Sequence, residues 1–228
     1  MATATHLPPP GSFSATETYK TCPHKYYRKY ITRDVKDPPG AAAIWGSQVH
    51  EALEHAIERG APMPDNMKQY EKWVKEIEHT SGEATPEIKL GMTKDGQPTD
   101  FHALDVWFRG IADVGILHSD EEWSVVDWKT GKPWPGKSRA QSDKMAMLGF
   151  IKYPKVQVIH SRFVFLKFDK IESFEYTRAD LPELVQATAN EQAAIRWSLD
   201  NKAWPKQTNG LCRNWCPVED CEFNGRRK

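Results

Sequence analysis

A chain of 228 residues, 39% hydrophobic and with nine tryptophans, has enough apolar side chain to build the core of one ordinary domain. Lysine plus arginine (31) balances aspartate plus glutamate (31), a balance that neither supports nor excludes DNA as a partner; local basic segments at 25–29, 129–139 and 226–228 can still carry phosphate contacts. No run approaches the length of an apolar membrane span, and residues 1–12 are polar and proline-rich without a signal peptide's apolar stretch, so a cytoplasmic protein with no membrane partner is expected.

Residues 1–12 read as a disordered leader and residues 13–228 as a single domain. Residues 14–30 carry apolar and aromatic side chains at helical intervals, with Ser12 or Ser14 placed to cap the helix. Asp37-Pro38-Pro39-Gly40 breaks the pattern. Residues 43–59 predict a strongly amphipathic helix with Val49, Ala52, Leu53, Ala56 and Ile57 on one face and Gly60 at its stop. Residues 66–79 predict another, with Tyr70, Trp73, Val74 and Ile77 turned inward. From Glu83 the period changes. Residues 86–92, 104–117, 122–128 and 161–168 are short runs rich in β-branched and aromatic side chains, and Asp95-Gly96 and His118-Ser119-Asp120 supply turns. Residues 138–151 and 181–200 return to helical spacing. Helices, then a mostly antiparallel run of strands, then helix, strand and helix predict an α/β (α+β) fold, with a central mixed β-sheet flanked by helices.

The chemistry gathers in Arg109-Gly110-Ile111-Ala112-Asp113 and in Val125-Val126-Asp127-Trp128-Lys129. Two adjacent strands joined by a tight turn bring Asp113 near Asp127, and Asp127 and Lys129, two apart on one strand, point to the same face. Two carboxylates and an ammonium then converge. Carboxylates bind hard cations such as Mg²⁺ or Mn²⁺, which activate water against a phosphate, and a lysine can position that water or stabilise the developing charge. Glu87 on the preceding strand and His50 on the polar flank of the first strong helix are candidates to complete the set. Taken singly, each has an ordinary explanation: a solvated strand face, a turn aspartate, a surface histidine.

The order of these pieces resembles the RecB-like branch of the PD-(D/E)XK nuclease superfamily, the branch that includes CRISPR-associated iron–sulfur exonucleases. Phe13 to Thr16, Tyr19, Cys22-Pro23 and Tyr26-Tyr27 are similar to its first helix. Gly46-Ser47-Gln48-Val49-His50 resembles its G-x-x-x-H motif, Gly110 to Asp113 its G-x-x-D, Asp127-Trp128-Lys129 its D-x-K, and Gln141 the glutamine of its Q-x-x-x-Y. The tyrosine of that last motif is Met145 here. The resemblance covers about residues 12–224. It implies a restriction-endonuclease-like core in which His50, Asp113 and Asp127 hold Mg²⁺ or Mn²⁺, Lys129 serves the attacking water, and Glu87 and Gln141 support them.

Three of the four cysteines fall within residues 212–221, which in a cytosolic chain points to metal ligation. Cys212, Cys216 and Cys221 give C-x3-C-x4-C, and Cys22 sits where the iron–sulfur members carry their N-terminal cysteine. The resemblance implies a [4Fe–4S] cluster on all four, tying the tail at 205–228 to the N-terminal helix; Zn²⁺ on the same thiolates and unmetallated thiols are the alternatives. The function expected is a metal-dependent DNA nuclease, an exonuclease before an endonuclease, acting on single- or double-stranded DNA in recombination, repair or phage DNA processing. Recombination or replication proteins as partners, and an oligomer, are compatible with it. A non-catalytic DNA-binding module and a redox- or metal-sensing DNA-associated protein are the rival readings.

Overall fold

In the computed structural model, which describes residues 9–37 and 40–226, Ser12 opens the first helix. Its hydroxyl accepts from the Ala15 amide, and helix α1 runs Phe13–Thr21. Residues 1–8 of the expected leader lie outside the described residues; at its described end Gly11 is buried. The continuous helix expected over 14–30 breaks at Cys22, which is extended (φ −165°) because Pro23 follows it. Pro23 starts helix α2 (Pro23–Tyr26), and the Cys22 sulfur accepts from the Lys25 amide at 3.5 Å. A π-helical turn, Tyr27–Ile31, follows.

The described residues 9–37 and 186–226 form one compact unit. Ala15, Tyr26 and Ile195 are its buried centre, with Tyr19, Tyr30, Ile31 and Trp204 against them. The Trp204 ring stacks on Tyr26 and Tyr27 at 5.9 and 5.2 Å. The tail returns to the N-terminal helices through Asn209 Nδ2, which donates to the Thr21 carbonyl, and through Arg28, which pairs with Asp220.

Residues Gly40–Val185 form the second unit. Helix α3 (Ala41–Arg59) ends at Gly60 in the left-handed conformation. Val49, Leu53 and Ala56 are its buried stripe, with Ala52 and Ile57 partly covered. The helix expected over 66–79 is two pieces, a 3-10 helix Asp65–Tyr70 and helix α4 (Glu71–His79). The Pro64 carbonyl takes the Met67 amide three residues on, and the tighter winding brings Met67 and Tyr70 to the same buried side.

Five strands follow: β1 (Glu83–Thr93), β2 (Val106–Leu117), β3 (Glu122–Lys129), β4 (Val158–Phe165) and β5 (Lys170–Thr177), hydrogen-bonded in that order. Only the β3–β4 pair is parallel, because helix α5 (Lys137–Lys152) crosses between them. The sheet is therefore mixed and flanked by helices, as the sequence predicts. Strand β4 starts earlier than expected and stops at Phe165, where the Phe168 amide closes a turn onto the Phe165 carbonyl. Strand β5 is not foreseen: it is an edge strand of mainly polar side chains with Tyr176 alone fully buried. Helix α6 (Leu181–Asp200) matches expectation. One hydrophobic cluster joins α3 and α4 to Val114, Ile116, Val126, Trp128 and Val164; a second joins α5 to Ile88, Leu90, Phe108, Ala112, Trp123 and Ile159. Each large side chain so covered contributes about 1.5–3 kcal/mol. Among the described residues no helix is long and apolar enough to cross a membrane.

Candidate active site

Strands β2 and β3 are paired only between Val114↔Val126 and Leu117↔Trp123. One residue beyond that ladder on each strand stand Asp113 and Asp127, where the strands part. The parting leaves the Trp128 amide without a partner on β2, and Asp113 Oδ2 accepts its proton at 2.6 Å. The pleat also changes hand here. Phe108, Ala112, Val114 and Ile116 would share one face of a regular strand, yet the first two belong to the cluster under α5 and the last two to the cluster under α3 and α4. On β1 the same switch separates Ala84 from Ile88, and between them Glu87 has φ +45°. In the β2–β3 register Asp113 and Asp127 stand opposite one another, one step past the last pair, so both carboxylates reach the gap.

From α3, His50 reaches Asp113: its Nδ1 lies 2.9 Å from Oδ1. Gly46, one turn earlier, allows that approach, since a Cβ there would lie 3.2 Å from Thr130 Oγ1 at the end of β3. From α5, Gln141 bridges the other pair. Its Nε2 donates to Asp127 Oδ1 at 2.8 Å, and its Oε1 accepts from Lys129 Nζ at 3.0 Å. Lys129 forms an ion pair with Asp127 Oδ2 and sits 5.3 Å from the Phe163 ring centroid. That carboxylate oxygen is buried and accepts no aligned hydrogen bond among the described residues, so the ammonium neutralises it by charge. Helix α5 can lie this close because β2 has Gly110: a Cβ there would stand 2.6 Å from Met145 Cε. The residue in the place of the family tyrosine is thus a buried packing group.

The electrostatics follow from burial. Asp127 is 7% exposed, and burial, with the Asp113 charge adding, pushes its carboxyl up to about 6 against the opposing pull of Lys129. Burial works to lower the His50 pKa, but the hydrogen bond to Asp113 and the charges of Asp113 and Asp127 outweigh it and leave it raised. The arrangement can hold hard cations through one imidazole and two carboxylates, and it supplies an ammonium fixed beside them.

The structure brings His50, Asp113, Asp127, Lys129 and Gln141 together as two hydrogen-bonded groups. Glu87 stands apart from both. It is exposed, lies level with Asp113 in the β1–β2 register, and its charge falls on Glu54 of α3, whose carboxyl is raised by burial and then by Glu87. Phe163, Thr130 and the Trp128 amide belong to the site and are marked by no motif. Phe163 lies level with Asp127 across the parallel β3–β4 pair, a pairing that the α5 crossover alone makes legible. As arranged, no three histidine, cysteine or acidic side chains among the described residues are gathered at metal-binding spacing.

Cys22, Cys212, Cys216 and Cys221 are free thiols that line one pocket of the chain-end unit, with Thr21, Lys25 and Val218. The Asn209 amide donates to Cys212 Sγ at 3.5 Å, as Lys25 does to Cys22. Burial pushes the Cys216 thiol up, and Lys25 opposes it. Four thiols around one pocket have the donor chemistry of a zinc or iron–sulfur site, although their present spacing gathers no ligand set.

The family model of the PD-(D/E)XK nuclease superfamily matches residues 10–221, and the chain belongs to that superfamily. In fold it is similar to the crystal structure of an exonuclease candidate from Eubacterium rectale, with 12% sequence identity and a TM-score of 0.54, covering 100% of this chain and 94% of that one. It is also similar to the crystal structure of the protein SSO0001, at 12% identity and a TM-score of 0.46, covering 93% of this chain and 85% of that one. Among proteins of curated function, none matches the sequence.

Proposed function

We propose that this nuclease hydrolyses DNA phosphodiesters with Mg²⁺ or Mn²⁺ and works as an exonuclease on DNA ends. The observation that carries the proposal is the Asp127–Lys129–Gln141 triangle set beside the His50–Asp113 pair where β2 and β3 part. His50, Asp113 and Asp127 would hold the metal, whose chemistry is to neutralise phosphate charge and acidify a water. Lys129 then orients that water or meets the charge that develops on the phosphate, and Gln141 fixes the ammonium between the two tasks. Glu87 contributes negative charge at the rim and is a supporting residue. The exonuclease mode is supported by the resemblance to the RecB-like branch and by the description of the Eubacterium rectale protein.

The same resemblance supports a [4Fe–4S] cluster on Cys22, Cys212, Cys216 and Cys221 as a structural clamp of the chain-end unit, with Zn²⁺ as the alternative. Metal analysis of protein purified without oxygen separates the two: iron with sulfide, or zinc alone. The setting that suits such an enzyme is cytoplasmic recombination, repair or phage DNA processing, with partner proteins or self-association at DNA ends. The test of function is digestion of end-labelled linear DNA and of the same sequence as a closed circle. Shortening of the linear form with the circle intact supports an exonuclease. Nicking of the circle would make it an endonuclease, and survival of both with either metal would overturn the proposal.

A further inference from the structure

Beyond Lys129 the chain leaves the sheet as Thr130-Gly131-Lys132-Pro133-Trp134-Pro135-Gly136 before α5 begins at Lys137. Trp134 is 58% exposed, and it is the exposed tryptophan of the Gly40–Val185 unit among the described residues. An exposed indole offers a flat apolar face that can stack on a planar partner. Its presentation is fixed in advance. Pro133 and Pro135 flank it and restrict the backbone, and a turn closes behind it, with the Lys137 amide donating to the Trp134 carbonyl at 3.2 Å. Lys132 Nζ lies 4.6 Å from the ring centroid.

The charge along this segment is of one sign. From Lys129 to Arg139 the chain carries Lys129, Lys132, Lys137 and Arg139 and no acidic residue. Lys132 and Lys137 have no ion pair among the described residues, whereas Arg139 pairs with Asp143. A flat apolar ring among free ammonium groups matches a nucleotide: a base for the indole and a phosphate for the lysine. A duplex keeps its base faces covered by stacking, so the complementary form is a single strand or a frayed end. Trp134 is five residues from Lys129, at most about 18 Å of extended chain, which keeps the bound base within a few nucleotides of the proposed cleavage point.

We infer that Trp134 is a stacking platform for an unpaired base of the DNA strand that enters the Asp127–Lys129 site, with Lys132 on an adjacent phosphate. The inference rests on the nuclease reading and names the form of substrate that it takes. Trp134 is a positioning residue, so its removal is felt in binding and not in turnover.

The experiment measures binding of a fluorescein-labelled thymidine oligonucleotide, and of a blunt duplex, by anisotropy in EDTA. Metal-dependent cleavage of the single strand is followed in parallel. Trp134→Ala weakens single-strand binding roughly tenfold, raises KM by a similar factor and leaves kcat at saturating DNA unchanged. Trp134→Phe restores most of the affinity, while Trp134→Leu, apolar but without a ring face of its kind, does not; all three retain the wild-type melting midpoint because the side chain lies outside the core. If Trp134→Ala binds and cuts the single strand as wild type does, the stacking inference falls and the nuclease reading stands. An equal loss on duplex and single strand would overturn the single-strand assignment. Wild-type protein that neither binds nor cuts DNA would remove the nuclease reading itself, and the inference with it.

Discussion

The Trp128 amide donates to the Asp113 carboxylate at 2.6 Å at the point where the β2–β3 ladder ends. A side chain thus takes the place of a strand carbonyl, and the same carboxylate reaches His50 with its other oxygen. Asp113 and Asp127 are opposite one another in the β2–β3 register, so the two acidic groups share one patch where the strands part.

Asp113→Ala leaves the Trp128 amide, in a residue only 2% exposed, without its acceptor. The expected loss is about 1–3 kcal/mol of folding stability, since a buried donor is stranded. Asp113→Asn keeps an acceptor oxygen, so it recovers most of that stability while still losing metal-dependent cleavage. Urea unfolding of the three proteins, beside a cleavage assay, separates the structural and chemical parts of the residue.

Asp127 gives a pH dependence with a definite sign. Its carboxyl is pushed up to about 6, so the folded protein binds this proton more tightly than the unfolded chain does. The stability that it contributes is fully present below the unfolded value of about 4 and is lost as the pH rises through about 6. Asp127→Asn in metal-free protein should therefore raise the thermal midpoint at pH 7.5 and leave it little changed at pH 4. Metal-dependent cleavage by wild type runs the other way, because holding a cation requires the carboxylate and the proton competes with the metal for it. A midpoint of Asp127→Asn that is unchanged or lower at pH 7.5 contradicts the burial argument.

Much of this was legible in the sequence because periodicity reports burial. Val49, Leu53 and Ala56 recur at helical spacing, and the helices α3, α5 and α6 fall where that spacing puts them. Asp127 and Lys129 share a face because strands alternate. The rest depends on tertiary context. No local signal marks the change of pleat at Asp113 and Glu87, because it arises where two strands part. Strand β5 escapes a pattern search because an edge strand can be mainly polar; Lys170, Glu172 and Glu175 give it no apolar alternation. Cys22 looks like part of a helix until the proline after it is considered.

Gln141→Ala removes the bridge between Asp127 and Lys129. The carboxylate and the ammonium remain, but the lysine is no longer held in one orientation. Supporting contacts of this kind are worth about 10–100-fold in activity, and the loss should fall on kcat, beside about 1–3 kcal/mol of stability because the buried Asp127 Oδ1 loses its donor. Single-turnover cleavage at saturating DNA measures it. A variant with wild-type kcat would remove Gln141 from the site.

Gly110 and Met145 are coupled by contact. Gly110→Ala places a methyl 2.6 Å from Met145 Cε and 3.1 Å from Leu148 Cδ1, the ends of flexible side chains that must shift to admit it, at a cost of about 1 kcal/mol. Met145→Ala makes room for that methyl, so the double variant should be more stable than the sum of the two losses. A double-mutant cycle in urea gives the coupling directly, and strict additivity would contradict the packing described.

Lys129, beside Asp113 and Asp127, is proposed to serve metal-dependent phosphodiester hydrolysis. This role is tested most directly by following end-labelled linear DNA with Mg²⁺, Mn²⁺ or EDTA, comparing wild type with Lys129→Ala purified in the same way. Wild type should degrade the DNA with metal and leave it intact in EDTA, and the variant should lose cleavage while retaining DNA binding. Cleavage by Lys129→Ala at the wild-type rate, or by wild type in EDTA, would contradict that role.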